Sequence, residues 1–452
     1  MTQVPGSQLP AADPLADFRS RHRFGSLVQP RVGLIGHLRF LPVDLGAPEV
    51  EVAAAALGNV SMALQYLAPQ AGHGGTGADV DPELAWIRGL VEAAERYACM
   101  VFADCDFVVA TARELGAEAL DLGNIPRCSR AELTDSRCPV TLAQHDAPIR
   151  WLRGFSLVHR HQRFVPAVMT HLHLQPWTSE RFWLQISTGV AAHTNLHAAL
   201  VAAICETIER DAIALTWLGQ LPLARIERTD ADRGTAAATL IERVEASGVQ
   251  YFDFDATTDL GIPTVFSVQV DPGHPYCALS VSCATALDSD EAQAKARREA
   301  CAARLMLNKP HKIPPQVIDY EQLIHGAHYY GRGGHEADFD FLLRGAGGTT
   351  TLGAMRDRAQ FPPSLSDETR LELLIARLGS LDMDAIAVDL TTDELRDVGL
   401  RVERVIIPQL MPITFVRRAR YLGTPRLYDY VGRVKHSRFT ESDVNAGPLP
   451  FA

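Results

Sequence analysis

Two five-residue runs, Glu92-Ala93-Ala94-Glu95-Arg96 and Glu206-Thr207-Ile208-Glu209-Arg210, write one pattern twice, E-x-x-E-R. On a helix, glutamates three apart share a face, and a glutamate and an arginine four apart are neighbours. Two such helices facing each other bring four carboxylates and two guanidiniums into one cleft. Carboxylates crowded without counter-charge repel, so the cleft suits hard cations such as Mg2+. The arginines suit phosphates that those cations bridge. Each run taken singly also reads as a solvated Glu–Arg pair worth about 0.2–0.5 kcal/mol. The duplication favours the cleft, but the pattern alone leaves both readings open.

Other chemistries find less support. The chain has four lysines, Lys295, Lys309, Lys312 and Lys435, and none follows a glycine, so a G-x-x-x-x-G-K-[ST] phosphate loop is absent. Gly72 to Gly77 matches G-x-G-x-x-G but lacks a preceding strand and a βαβ unit; a phosphate-facing loop at a helix start is the better reading. His171 and His173 share one face of an expected strand without a second histidine pair, and satisfied or exposed histidines are the simpler expectation. Gly154-Phe155-Ser156-Leu157 lacks the second glycine of a nucleophile elbow. None of the eight cysteines forms a C-x-x-C, which argues against structural zinc.

The chain of 452 residues carries 43 Lys+Arg against 54 Asp+Glu, a formal charge of −11. At about 150 residues per domain, two or three domains are expected. The acidity argues against a nucleic-acid binder held by phosphate contacts. Met1 to Pro5 begins no signal peptide. The apolar stretch Val190 to Trp217 contains Glu206, Glu209, Arg210 and Asp211, too costly for a lipid-spanning helix. A cytoplasmic protein with reduced thiols, bound to neither nucleic acid nor membrane, is the expectation.

The elements that would position the glutamates follow from periodicity. Residues 1–24 are polar and aperiodic and read as a mobile tail. Gly33 to Pro42 and Val50 to Leu57 look strand-rich. Leu84, Ile87, Val91, Ala94, Ala98 and Val101 then mark an amphipathic helix carrying the first motif. Ile149 to Val158 and Phe164 to Leu174 alternate like paired strands. Leu196 to Leu218 is a second helix, carrying the second motif. Gln250 to Phe254, Thr264 to Val270 and Cys277 to Ser282 read as strands, and Ser289 to Leu307 as a third helix. Gly345 to Thr349 and Pro362-Pro363 bracket an expected linker. Beyond it a helix over Thr369 to Leu378, a strand over Ala385 to Leu390, a short helix over Glu394 to Val398 and a strand over Val402 to Ile407 are expected. The class is mixed α/β.

The surroundings of the second motif add a resemblance. Ser187-Thr188-Gly189-Val190-Ala191-Ala192-His193-Thr194-Asn195-Leu196 runs into Glu206-Thr207-Ile208-Glu209-Arg210-Asp211-Ala212. This resembles the YcaO family, in which a Ser-Asn-Gly-x-Ala-x-Gly-Asn-Thr stretch leads into an E-x-x-E-R-D-A helix at the same spacing. The first motif resembles that family's earlier helix. Lys295 and Glu299 fall where the family has an Arg and a Glu at the nucleotide. Further matches are Arg31-Val32-Gly33, Asp146 to Trp151, Asp338 to Leu343, Asp389 to Thr392 and Asn445 to Ala452, covering nearly the whole chain from about residue 28.

The resemblance implies a YcaO fold with an ATP site between the long E-x-x-E-R helices and mixed sheets. It implies a core over 25–343, the linker over 344–372, and a C-terminal α/β subdomain over 373–452. By the same resemblance Glu92, Glu95, Glu206 and Glu209 hold Mg2+, while Arg96, Arg210, Lys295, Glu299 and Asn195 position ATP. The implied activity is the cyclodehydratase component that converts Cys, Ser or Thr of a ribosomal precursor peptide to azolines through backbone amide O-phosphorylation. Members with this activity often end in Pro-x-Pro-x-Pro; here Pro448, Pro450 and Ala452 stand in those places, as catalytic-site candidates. Several positions depart from the pattern: Arg88 for Ser, Thr188 for Asn, Ala191 for Ser, Thr194 for Asn and Ala198 for Glu, with Asn195 one place later than the usual ligand. The departures at Arg88, Thr194 and Ala198 favour a catalytically weak scaffold, whereas the intact motifs and the tail favour the enzyme; amidine or thioamide formation shares the same ATP site. A homodimer is expected by family analogy. With no winged-helix module evident and no room for one, dependence on a ThiF-like or E1-like leader-binding partner is expected.

Overall fold

Three short stretches near the start, Ile35–Phe40 (β1), Glu51–Leu57 (β2) and Gly74–Asp79 (β3), pair antiparallel in the order β1-β2-β3. The computed structural model describes residues 14–31, 33–43, 47–58, 74–229 and 236–452. The expected glycine loop is therefore a strand from Gly74 onward, with Gly72 and His73 outside the described residues. The reason is packing. A Cβ on Gly75 would stand 2.4 Å from Ala93 N, and one on Gly77 2.2 Å from Ala85 O, so glycine is what lets the next helix lie on the strand.

Residues 1–24, expected as a tail, are structured in part. Pro14–Arg21 (α1) buries Phe18 completely, its ring 5.2 Å from that of Trp86. The next helix, Pro82–Met100 (α2), starts on Asp81, whose side chain accepts from Glu83 N. Leu84 of the expected stripe is exposed; Ala85, Trp86, Gly89, Leu90 and Ala93 face inward instead.

Val108–Ala110 (β4), Ile149–Ser156 (β5), His161–Pro166 (β6) and Val190–His193 (β7) come next. Leu196–Gly219 (α3) follows, apolar on nearly every side and buried for most of its length, as a helix packed on both flanks must be. Ala224–Ile226 (β8), Gln250–Asp255 (β9), Thr264–Val270 (β10) and Leu279–Thr285 (β11) join a second sheet, capped at its far side by Thr349–Thr350 (β12), in the order β11-β10-β9-β8-β12. Ser289–Leu307 (α4) covers β10 and β11, and Leu323–Gly331 (α5) follows it.

The stretch expected as a linker belongs to this body. It supplies β12 and Leu352–Ala359 (α6), which buries Leu352, Met355 and Ala359 at three- and four-residue steps. After Asp367–Ser380 (α7), Ile386–Asp389 (β13) and Arg401–Ile406 (β14) return to the earlier strands, giving the order β4-β5-β13-β14-β7 with β6 also on β5. The C-terminal region is thus no separate subdomain: Ile386, Val388, Val402 and Val405 are buried and need β5 and β7 beside them. Pro425–Lys435 (α8) closes on α3.

His171 does not lie on a strand but at the end of a short helical turn, buried, with Phe102 and Phe107 edge-on to its ring. Burial, helped by the Arg404 charge, lowers its pKa to about 3. An unfolded histidine titrates near 6.5 (roughly) and so binds a proton the folded one refuses. The stability contributed by neutral His171 is full above that pH and is lost as pH falls towards 3, at up to about 1.4 kcal/mol per pH unit. Urea midpoints measured at neutral pH and in mild acid are expected to diverge less in His171→Phe than in the parent.

Candidate functional site

The two E-x-x-E-R runs sit mid-helix on α2 and α3, where each helix passes the terminal strand of a sheet. Four main-chain N–H groups reach the four glutamates. Thr76 of β3 donates to Glu92 Oε2 at 2.7 Å, and Ala192 of β7 to Glu95 Oε1 at 2.7 Å. Gly189 donates to Glu206 Oε2 at 3.1 Å, and Thr285, the last residue of β11, to Glu209 Oε2 at 3.0 Å. Edge strands of all three sheets therefore converge on one carboxylate cluster. Gly189 has φ +78°, and a Cβ there would stand 2.4 Å from Val405 O. No other residue makes this turn without strain.

Cations interleave with the acids. Arg96 Nη2 lies 3.0 Å from Glu92 Oε1, and Arg210 Nη2 3.2 Å from Glu206 Oε1 and 3.6 Å from Glu209 Oε1. Lys295 Nζ on α4 donates to Glu209 Oε2 at 2.9 Å and stands 3.7 Å from Glu299 Oε1. Sequence reasoning placed all of these together, across three helices, and the fold brings them together. Burial strips water from the group, yet the carboxylates of Glu209, Glu299 and Glu206 outweigh it and raise the Lys295 pKa. Burial and the charges of Glu206 and Glu92 push Glu95 up to about 8, against the pull of the Ala192 N–H. Burial and Glu209 push Glu299 to about 8 as well.

These acids are held closer than their own cations neutralise. Glu209 is fully buried, and its Oε1 has no hydrogen-bond partner. An orphaned carboxylate oxygen within a set of oxygen donors fits a hard divalent cation. As arranged, each glutamate is turned onto a strand N–H, and among the described residues no three His, Cys, Asp or Glu side chains stand together as a ready ligand set.

Asn195 has a different employment: its Oδ1 accepts from His197 N and Ala198 N and so caps α3. Arg88, the departure on α2, pairs through Nε with Asp79 Oδ2 at 3.1 Å. Thr188 Oγ1 is buried without a partner, and Thr194 is exposed. At the end of the chain Pro448, Leu449, Pro450 and Phe451 are buried and Ala452 is exposed. Phe451 packs edge-on against Phe266 of β10, centroids 5.5 Å apart, and Phe266 pairs across to Cys283 of β11. Glu209, Glu299 and Arg210 act on the Cys283 thiol, which burial raises well above its ordinary pKa. The tail thus runs along the wall that carries the carboxylates on its other end.

Sequence reasoning missed the four N–H donors, since every residue but proline has one and no side-chain pattern marks them. It also missed Arg404 of β14, whose guanidinium donates to Thr170 O and Ile186 O beneath Glu206 and Cys99.

A family model described as YcaO cyclodehydratase, ATP- and Mg2+-binding, matches residues 74–411. An uncharacterized protein in the tfuA 3' region of Rhizobium leguminosarum bv. trifolii is 30% identical over 203 residues, 44% of this chain and 45% of that protein. A solved heterocyclase in complex with substrate and cofactor superposes with TM-score 0.78 at 22% identity, over 97% of this chain and 57% of its own. A chain of the E. coli microcin synthetase McbBCD complex with pro-MccB17 bound gives 0.60 at 13%, over 94% and 99%. At such identities the solved structures establish the shared fold. The chain spans about half the length of the Rhizobium protein and of the heterocyclase.

Proposed function

The chain belongs to the YcaO family, whose ligands are ATP and Mg2+, and from that premise we propose that it is the ATP-dependent cyclodehydratase component of an azoline-forming pathway. The single observation behind this reading is the retained carboxylate ring, four glutamates from two helices with Arg96, Arg210 and Lys295 set between them. Glu92, Glu95, Glu206 and Glu209 would hold Mg2+, and Arg96, Arg210, Lys295 and Glu299 would orient the nucleotide. When bound, Mg-ATP supplies the phosphoryl group that lets the peptide amide oxygen leave as phosphate, after Cys, Ser or Thr has attacked the carbonyl carbon.

The chain's own contribution is charge and position. The guanidiniums already lie along the glutamates, so little reorganisation is needed to stabilise negative charge there. The buried thiols Cys99, Cys205 and Cys283 are held neutral by burial, with pKa raised to about 11, about 12 and well above the ordinary value. They line the ring without competing as nucleophiles. Pro448, Pro450 and Ala452 border the peptide's path in this reading. Among the described residues no helix is long and apolar enough to cross a membrane. The precursor peptide, a ThiF-like or E1-like leader-binding partner, a cytoplasmic setting and a homodimer complete the proposal; a McbBCD complex holding its pro-peptide shows that a chain of this fold works among partners.

The test is co-incubation of the chain with ATP, Mg2+, a candidate precursor peptide and its leader-binding partner, read by mass spectrometry. Loss of one water mass per modified residue, dependent on ATP, supports the reading. ATP binding without any mass change across candidate sets would favour the scaffold that the departures at Thr194 and Ala198 suggest. A second expectation concerns the tail. Deleting Ala452 removes no buried side chain, so folding and ATP affinity should be unchanged while peptide conversion slows. Truncation after Gly447 also strips Leu449 and Phe451 from the core, at about 1.5–3 kcal/mol per side chain, and should lower the melting temperature as well. Unaltered conversion in both variants would remove the tail from the site.

A further inference from the structure

Around the segment that leads into the tail, buried donors gather without an acceptor. Asn445 ties this segment to the end of α3: its N–H donates to Leu218 O at 2.9 Å and its Nδ2 to Trp217 O at 3.1 Å. Arg420 Nη1 donates to Asn445 O at 2.8 Å. Two residues on, Gly447 passes so close to α5 that a Cβ would stand 2.5 Å from Tyr330 Oη and 3.2 Å from Trp217 Cζ2. The Trp217 and Tyr330 rings lie edge to face, 5.6 Å apart, in one apolar cluster with Ile413.

In this shell Trp217 Nε1, Tyr330 Oη, Thr414 Oγ1, Arg417 Nη1 and Arg420 Nε are all buried and have no hydrogen-bond partner. Trp217 and Tyr330 are 1% exposed and Thr414 3%. An unsatisfied buried polar group costs about 1–3 kcal/mol, so five together call for an explanation. Three of them, the indole and the two guanidinium N–H groups, only donate. The nearby acids do not answer them. Glu132 spends its oxygens on the main-chain N–H groups of Arg420 (2.6 Å), Ser129 (2.8 Å) and Leu422 (2.9 Å), and Glu441 accepts from Ser129 Oγ. Asp338 stands near Tyr330, and Arg418 is occupied by Asp135 and Asp319. Burial and the neighbouring Arg417 charge press the Arg420 guanidinium down to about 10, the mark of two like charges enclosed together.

We propose that Arg417, Arg420, Tyr330, Thr414 and Trp217 form a binding site for a small oxyanion, of phosphate or carboxylate kind, separate from the nucleotide cleft. A tetrahedral or planar oxyanion supplies the acceptors this shell lacks and the charge its arginines lack. Trp217 follows Glu209 by eight residues on the same helix, about 12 Å along its axis, so the two sites share α3 without overlapping. An anion held here braces Asn445 to Gly447, and through them the tail.

The experiment titrates inorganic phosphate and, separately, acetate into the full chain, followed by phosphorus line broadening for the first and by melting temperature for both. The same titrations on Glu206→Gln/Glu209→Gln remove the nucleotide cleft from the account. The site predicts that at least one anion binds the parent and this variant alike. Arg417→Met added to that background should weaken binding about tenfold or more, the loss of one charged hydrogen bond. Tyr330→Phe, which keeps the ring packing, should weaken it by less, and guards against a failure of the Arg417 variant to fold. Phosphate binding without acetate binding identifies phosphate as the ligand class, and comparable binding of both identifies any small oxyanion. The proposal is overturned if neither anion binds, if binding disappears with Glu206 and Glu209, or if Arg417→Met and Tyr330→Phe leave it unchanged.

Discussion

Glu206→Gln/Glu209→Gln is expected to lower Mg2+-dependent ATP affinity about 100-fold or more, a loss of about 3 kcal/mol. Glutamine keeps an oxygen for the N–H groups of Gly189 and Thr285, so the local backbone should hold. What disappears is the pair of charges that would take the cation. Arg210 and Lys295 lose their partners at the same time, and their positive charges then face one another across the ring. A fall in melting temperature should therefore accompany the lost affinity, without loss of near-ultraviolet dichroism. ATP bound as tightly by the double variant as by the parent would place the nucleotide elsewhere.

The second large effect is on stability. Arg426→Ala is expected to destabilise the fold by about 3–5 kcal/mol, the cost of leaving a buried charge without its partner. Asp211 is wholly buried on α3, directly after the second E-x-x-E-R run. Arg426 on α8 reaches it from Nε at 3.0 Å and Nη2 at 2.6 Å, and reaches Asp259 from Nη2 at 2.8 Å. Without the guanidinium, Asp211 keeps only the Met411 N–H, at 2.9 Å. Arg433→Ala is the control. Arg433 also pairs with Asp259, at 2.7 Å, but is 63% exposed, and such pairs are worth about 0–1 kcal/mol. Denaturant midpoints compare the two, and equal shifts would show that α8 is not locked through Asp211. Adding Asp211→Asn to Arg426→Ala should restore part of the loss by removing the uncompensated charge.

The legible parts of this molecule were those written within one element. The helices over 196–219 and 289–307 were read nearly to the residue because apolar spacing and polar caps are local. The glutamates of both motifs were found for the same reason, and the helices carried them to one place. Glycines misled: at Gly74 to Gly77 composition says loop, while the close approach of α2 needs a strand without side chains. The linker and the C-terminal subdomain were misread because β12 pairs with β8 and β13 with β5 across more than a hundred residues (an order of separation at which pattern carries no signal). Phe18, one aromatic in a polar stretch, was enough to hold α1. The Asp211–Arg426 pair was equally invisible, since charge alone does not say which arginine a buried aspartate will meet.

The measurement that tests the central claim most directly is calorimetric titration of the purified chain with ATP, with and without Mg2+. The carboxylate ring predicts binding at one site that requires Mg2+, because two crowded glutamate pairs and a nucleotide polyphosphate repel each other until cations stand between them. Binding of equal strength in the absence of divalent cations, or no binding even with the precursor peptide and partner protein present, would contradict it.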